Sequence, residues 1–192
     1  HRFPHDKTFL PTSGPKKAEQ LGRALAGAAM VALERAEPMV DSHLAVMTKV
    51  LDLPYYTRDE SIFKEMEALE KKENLSYLEE ANIRRVREWA NDGKSIAVPV
   101  QTMRIGDVGL AAFPAEIFVR LGLEVKEWSK APHTFVVELS NDRVSTYVPD
   151  TDHADRGAYG QKPILSRWLR SDAGRHMADA AIDMLYDLYT AE

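Results

Sequence analysis

The residues able to do chemistry are few in this chain, and they gather late in it. Glu116 stands where an apolar run, Val108 to Phe113, gives way to Pro114-Ala115-Glu116. The sequence predicts a strand turning into a helix there. Ligands of α/β folds collect at such strand ends, and a helix N-terminus favours an ionised carboxylate. An acid in a first helical turn is equally ordinary as a complement to the helix dipole. Tyr147 precedes Val148-Pro149 at a second strand end, and Asp150, Asp152, His153, Asp155 and Tyr159 crowd the segment after it. Asp150-Thr151-Asp152-His153 lacks the regular ligand spacing of an EF-hand, so turn chemistry is its simpler reading. The six histidines, at positions 1, 5, 43, 133, 153 and 176, show no metal-ligand spacing. His43 and His133 lie at strand beginnings and read as structural. A Gly-rich phosphate loop, a His-Glu-x-x-His and a Gly-x-Ser-x-Gly elbow are all missing.

Composition narrows the classes. The 192 residues contain no cysteine, which removes disulfides, thiolate nucleophiles, zinc fingers and Fe–S clusters. With 25 Lys+Arg against 30 Asp+Glu, the net charge is −5. That balance lacks the basic footprint of non-specific nucleic-acid binding. A chain of this length buries roughly 70% of its extended surface and needs no staples. No stretch reaches the roughly 18 apolar residues of a membrane span. The first residue is His rather than Met, and the opening segment matches neither a signal peptide nor a transit peptide. The expectation is a piece of a longer protein.

The elements that must position the candidate residues follow from periodicity. Residues 1–13 read as an extended arm. Ser13-Gly14-Pro15 opens a helix to about Ala36, with a capping hydroxyl and a proline in its first turn. Its small residues, among them Gly22, Ala24, Ala26 and Gly27, predict close packing on a sheet or helix. Residues 42–53 alternate as a strand, with Leu44, Val46 and Thr48 on one side and Ala45, Met47 and Lys49 on the other. Thr57-Arg58-Asp59-Glu60 and Ser76-Tyr77-Leu78-Glu79 read as capping boxes, so residues 57–92 form a helical hairpin excursion. Residues 95–105 return to strand pattern, and Pro99 implies an edge position or a bulge. Gly106-Asp107 marks a tight turn to a partner strand at 108–113. A helix from Pro114 follows, then a strand at 133–139, a short strand near Tyr147, a long loop at 150–170, and a last helix. That helix packs through Met177, Ala181, Met184, Leu185 and Leu188. The fold class is mixed α/β, helices packed on a small mixed sheet.

The order of these motifs is specific. The hairpin Met103 to Phe118 leads into Leu121-Gly122-Leu123-Glu124-Val125-Lys126. It is followed by Thr134 to Asn141, then Tyr147-Val148-Pro149 and Gly157-Ala158-Tyr159. This succession resembles the later part of the catalytic domain of the neutral/alkaline (non-lysosomal) ceramidase family. The resemblance runs from about residue 12 to 189 and is strongest from 98 to 160. It implies that residues 1–192 are a C-terminal portion of such a domain, from a zinc-dependent hydrolase that cleaves the N-acyl amide bond of ceramide. By the same resemblance Glu116 and Tyr147 are metal ligands, two of the four expected. Tyr159 is then the catalytic residue that hydrogen-bonds the developing oxyanion. The two remaining ligands, both histidines, belong to an earlier segment not represented here. The implied partners are the N-terminal part of the same domain, in cis or as another chain, and a lipid-amide substrate. An extracytoplasmic or secreted location also follows from the resemblance.

This chain departs from the family pattern at three points. Pro-Gly-Glu has become Pro114-Ala115-Glu116, the segment from Asn141 to Tyr147 is one residue longer, and Gly-Tyr-Glu has become Ala158-Tyr159-Gly160. Two other readings therefore stand beside the first. One is a catalytically silent scaffold or binding domain of the same fold. The other is a zinc hydrolase for a different amide or ester.

Overall fold

The computed structural model describes residues 13–154 and 156–190. The expected arm at 1–13 lies almost wholly outside the described residues. The chain divides into two units, residues 1–40 and 41–192. The first holds α1 (Pro15–Glu34), started by Gly14 and by proline at its first position. The expected capping hydroxyl is not used, because Gly14 rather than Ser13 occupies the cap. None of the residues of α1 is buried, and a Cβ added at Gly22 or Gly27 would meet nothing within 4 Å.

The second unit begins with β1 (Leu44–Pro54), followed by the hairpin of α2 (Glu60–Glu70) and α3 (Tyr77–Arg87). The Ser76 capping box forms as expected, with Glu79 reaching back to the Ser76 backbone. The first box does not. Asp59, not Thr57, caps α2, its carboxylate accepting from the backbone N–H groups of Ser61 and Ile62. A carboxylate two residues closer to the helix reaches two orphan donors, so it wins the position. Ile62 and Met66 of α2 and Val86 of α3 bury against Ile164 in a small satellite core.

Next come β2 (Ser95–Ile105) and β3 (Val108–Ala112), joined by a turn in which Gly106 takes a φ of 54°. After them lie β4 (Glu116–Ile117), α4 (Val119–Trp128), β5 (His133–Val137), β6 (Tyr147–Val148) and α5 (Ala173–Thr190). The main sheet has the order β1-β2-β3-β5, with β3 and β5 parallel across the α4 crossover and the other pairs antiparallel. Strand β2 is therefore internal, although Pro99 pointed to an edge. The register reconciles the two: β3 pairs only with Gln101–Ile105, so the stretch holding Pro99 has a neighbour on the β1 side alone. A missing N–H is tolerated where no second ladder needs it.

Alternation assigns the two faces of this sheet. One face carries Leu51 and Leu53 of β1, Val98, Val100 and Thr102 of β2, Ala111 of β3 and Val136 of β5. It packs on α4 and α5 through Leu121, Val125, Met177, Ala181 and Leu185, all buried. All five residues expected on the core face of α5 are buried. Its first turn comes so close to α4 that a Cβ on Gly174 would meet Leu121 Cδ1 at 2.5 Å and the Pro149 carbonyl at 2.7 Å. At its other end Arg104 donates to the Leu188 carbonyl at 2.9 Å and pairs with Asp41. The architecture is mixed α/β, as the periodicity predicts.

Candidate metal and catalytic site

Glu116 does not open a helix. It sits in β4, paired in parallel register with Tyr147 of β6, and α4 starts only at Val119 with Phe118 as its cap. The correction has a local cause. The Glu116 N–H donates to the Thr146 carbonyl and the Phe118 N–H to the Val148 carbonyl, so the backbone is committed to β6 before it can coil. The helix-dipole argument for Glu116 therefore lapses, and strand pairing takes its place. That pairing puts a carboxylate and a phenol next to each other just beyond the C-terminal end of β3. Ligands gather at this end of a parallel crossover unit.

The platform beneath them is firm. Ala115, Ile117 and Val148 are buried, and Tyr147 is held on its other side by donation of its N–H to the Ser166 carbonyl at 2.9 Å. Fully buried Ser145 donates its hydroxyl to the Tyr147 carbonyl at 3.1 Å and accepts from the Trp168 N–H. Tyr159 arrives from the long loop. Its ring meets that of Tyr147 edge to face at 5.5 Å between centroids, while Tyr159 itself stays 85% exposed. Glu116, Tyr147 and Tyr159 are thus one cluster.

The electrostatics join them further. The hydrogen bond with Tyr159, desolvation and the Glu116 carboxylate together push the Tyr147 phenol up to about 12. A neutral hydroxyl donating to oxygen neighbours resists losing its proton. Glu138, just past the end of β5, has its carboxyl raised by partial burial and by the nearby charge of Glu116, partly offset by the Ile117 N–H. Around it the backbone is unusual: Leu139 and Asn141 both have positive φ, 53° and 68°. Non-glycine residues in this region store strain, which collects at functional sites.

Two neighbours of the cluster have no role in it by the sequence reading. One is Glu138, whose only signal was a lone carboxylate ending an otherwise apolar strand. The other is Gly160. With φ of 84°, it lies so close to Tyr147 that a Cβ would meet that ring's carbons at 2.5–3.0 Å. The glycine after Tyr159 is what lets the two rings meet. Asp150 behaves as turn chemistry predicts. It is buried, its carboxylate accepts from the His153 N–H at 3.2 Å, and it lies 2.7 Å from His153 Nδ1. His43 and His133 do lie at strand beginnings, but both are exposed.

Among the described residues no group of three or more His, Cys, Asp or Glu side chains converges as a metal site. Glu116 and Tyr147 are nonetheless both oxygen donors, and the carboxylate is of the kind that binds zinc. No helix among the described residues is long and apolar enough to cross a membrane.

Comparison with known proteins bears on the fold. No family model matches the chain, and no curated protein matches it. Among solved structures, neutral ceramidase from Pseudomonas aeruginosa aligns with a TM-score of 0.55 and 18% identity, over 95% of this chain and 35% of that one. A ceramidase complexed with C2 aligns with a TM-score of 0.56 and 14% identity, over 86% of this chain and 33% of that one. The class is therefore a mixed α/β layer with its polar cluster at the end of a parallel crossover. Its fold is neutral ceramidase-like, and the chain spans about a third of the length of those structures.

Proposed function

We propose that this chain is the C-terminal portion of a zinc-dependent amidohydrolase of the neutral ceramidase type, acting on the N-acyl bond of ceramide or a related lipid amide. The observation that carries the reading is the register pairing of Glu116 with Tyr147, with Tyr159 against the Tyr147 ring, within a ceramidase-like fold. Glu116 and Tyr147 would hold the zinc from this side. Two histidines from the remainder of the domain complete the set. Bound there, zinc supplies Lewis acidity that polarises an amide carbonyl and acidifies water.

This chain's own residues do the rest. Glu116 contributes a fixed negative charge at a strand end. Tyr147 must release a proton that its present neighbours hold to about 12, and a cation at the phenol oxygen reverses that balance. Tyr159, exposed and free to reach substrate, donates its hydroxyl to the oxygen on which charge develops. Gly160, where the chain departs from the family pattern, is the residue whose missing side chain admits the Tyr147 ring.

The test is hydrolysis by the natively produced protein against a panel of N-acyl sphingosines, simple fatty amides and esters. Tyr159→Phe should lower kcat by about 100- to 1,000-fold with KM little changed, the signature of a lost oxyanion donor. Equal activity in the Tyr159→Phe variant and the parent would remove Tyr159 from the mechanism. Preference for esters over amides would favour the hydrolase of other substrates.

A further inference from the structure

Arg167 is a buried cation with no part in the proposed chemistry: it is 4% exposed, on the long loop between β6 and α5. A guanidinium lies so deep only where hydrogen bonds and close neighbours offset its lost hydration. Its Nε donates to the Gln161 carbonyl at 2.8 Å, and its central carbon lies 5.6 Å from the centroid of the Tyr56 ring. Gln161 closes a turn that begins at Ala158, whose carbonyl accepts from the Gln161 N–H at 3.3 Å. The central residues of that turn are Tyr159 and Gly160. The φ of 84° at Gly160 is the kind a type II turn requires at its third position. The Arg167 side chain therefore anchors the turn that carries Tyr159.

The backbone beside Arg167 holds the other ring. The Ser166 carbonyl accepts from the Tyr147 N–H. The N–H groups of Ser166 and Arg167 both donate to the Lys162 carbonyl, at 2.9 and 3.0 Å, and the Ile164 N–H donates to the Arg167 carbonyl at 2.7 Å. Within this closed turn Ile164 takes a φ of 63°, a rare conformation for a β-branched residue. Strain of this kind persists only where the surroundings impose it. Ile164 is fully buried with Ile62, Met66 and Val86, so the α2–α3 hairpin seats the turn.

We infer that Arg167 is a positioning residue for the proposed reaction: its side chain grips the Tyr159 turn at Gln161 while its neighbour Ser166 grips Tyr147, which fixes one ring against the other. Tyr159 is 85% exposed, so its own burial does little to place it. An oxyanion donor serves only where it is placed in advance. Lysine is no substitute at such a position, because it is a flexible point charge without the directed Nε–H. The catalytic role of Tyr159 rests on the proposed function; the placing of its ring by Arg167 rests on the geometry alone.

Arg167→Lys keeps the charge and loses the Nε–H aimed at Gln161. In the natively produced protein it should lower kcat on an N-acyl sphingosine about 100-fold with KM little changed, the effect of a misplaced catalytic group. In a Tyr159→Phe background the same substitution should lower kcat less than about threefold further, since residues that act as a unit are non-additive. A second readout needs no activity. Tyrosine is replaced by 3-fluorotyrosine, and the Tyr159 fluorine resonance is assigned by its loss in the Tyr159→Phe variant. In Arg167→Lys it should move to the position it takes in a Tyr147→Leu variant, because the ring contact is lost in both. If urea unfolding shows that Arg167→Lys does not fold, Arg167→Met decides the matter, with an adaptable unbranched stem and no donor. A resonance unmoved in the folded variant, or fully additive losses of kcat, would overturn the inference. A resonance that moves in a protein whose Tyr159→Phe variant is fully active would leave the grip of Arg167 standing and overturn the catalytic reading of Tyr159 alone.

Discussion

On one side of the four-stranded sheet Val98, Val100, Ala111 and Phe113 are fully buried beneath helices; on the other, Val46, Val50 and Phe135 stand more than half exposed. The two faces have nearly the same composition and opposite environments. The covered face fixes the ends of β3 and β5, and through them β4 and β6, so the Glu116–Tyr147 pair rests on a finished core. The open face and the exposed Tyr159 ring carry no such cover among the described residues. A polar cluster can thus be firmly positioned by one covered face while the opposite face of the same sheet stays open.

The comparison breaks first at matched phenylalanines. Phe113→Ala should cost about 3–5 kcal/mol, the loss for a fully buried aromatic ring. Phe135→Ala should cost less than about 1 kcal/mol in the isolated 192-residue chain, as exposed positions do. Urea unfolding of the two variants measures both, and equal costs would show that the faces do not differ. Gly160→Ala sharpens the link to the site. It should cost about 1–3 kcal/mol, because the new Cβ meets the Tyr147 ring and L residues resist a φ of 84°. The aromatic circular dichroism of the Tyr147–Tyr159 pair should change with it.

Thr102→Val tests the covered face in the opposite direction. The Thr102 hydroxyl is fully buried, with no hydrogen-bond partner among the described residues. Its removal should raise stability by about 1 kcal/mol, since an unsatisfied donor is costly and valine keeps the shape. A fall in stability would mean the hydroxyl is satisfied after all. The smallest effect is in titration. The Tyr147 phenol is raised when folded, so the stability it lends is full below pH 10 and is lost as the pH climbs to about 12. In metal-free protein, phenolate absorbance should show late titration from Tyr147 and from Tyr189, whose phenol burial also raises, and the Tyr147→Phe variant should lose the Tyr147 part alone.

Much of the covered face was readable in advance, because a period of 2 in β2 and of 3.6 in α5 each has one apolar solution. The cap of α2 was misread by two residues, since Thr57 and Asp59 both satisfy the local rule and only the donors reached decide between them. Glu116 was placed in a helix because Pro-Ala-Glu is a good helix start. Its strand pairing depends on Thr146 and Val148, thirty residues away, which no local pattern reveals. Residue types and strand ends bring Glu116 and Tyr147 forward, and the resemblance alone gives them and Tyr159 their roles. Gly160 stands out in the sequence as a departure from the family pattern, but its close approach to the Tyr147 ring is a tertiary contact that no local pattern reveals.

The central claim is that Glu116 and Tyr147 are two ligands of one zinc ion. Metal analysis of the natively produced protein, beside Glu116→Gln and Tyr147→Phe variants verified as folded, tests it most directly. The account predicts one zinc per molecule in the parent, near-complete loss with Glu116→Gln, and weakened retention with Tyr147→Phe under mild chelation. Zinc content unchanged in both variants would contradict it.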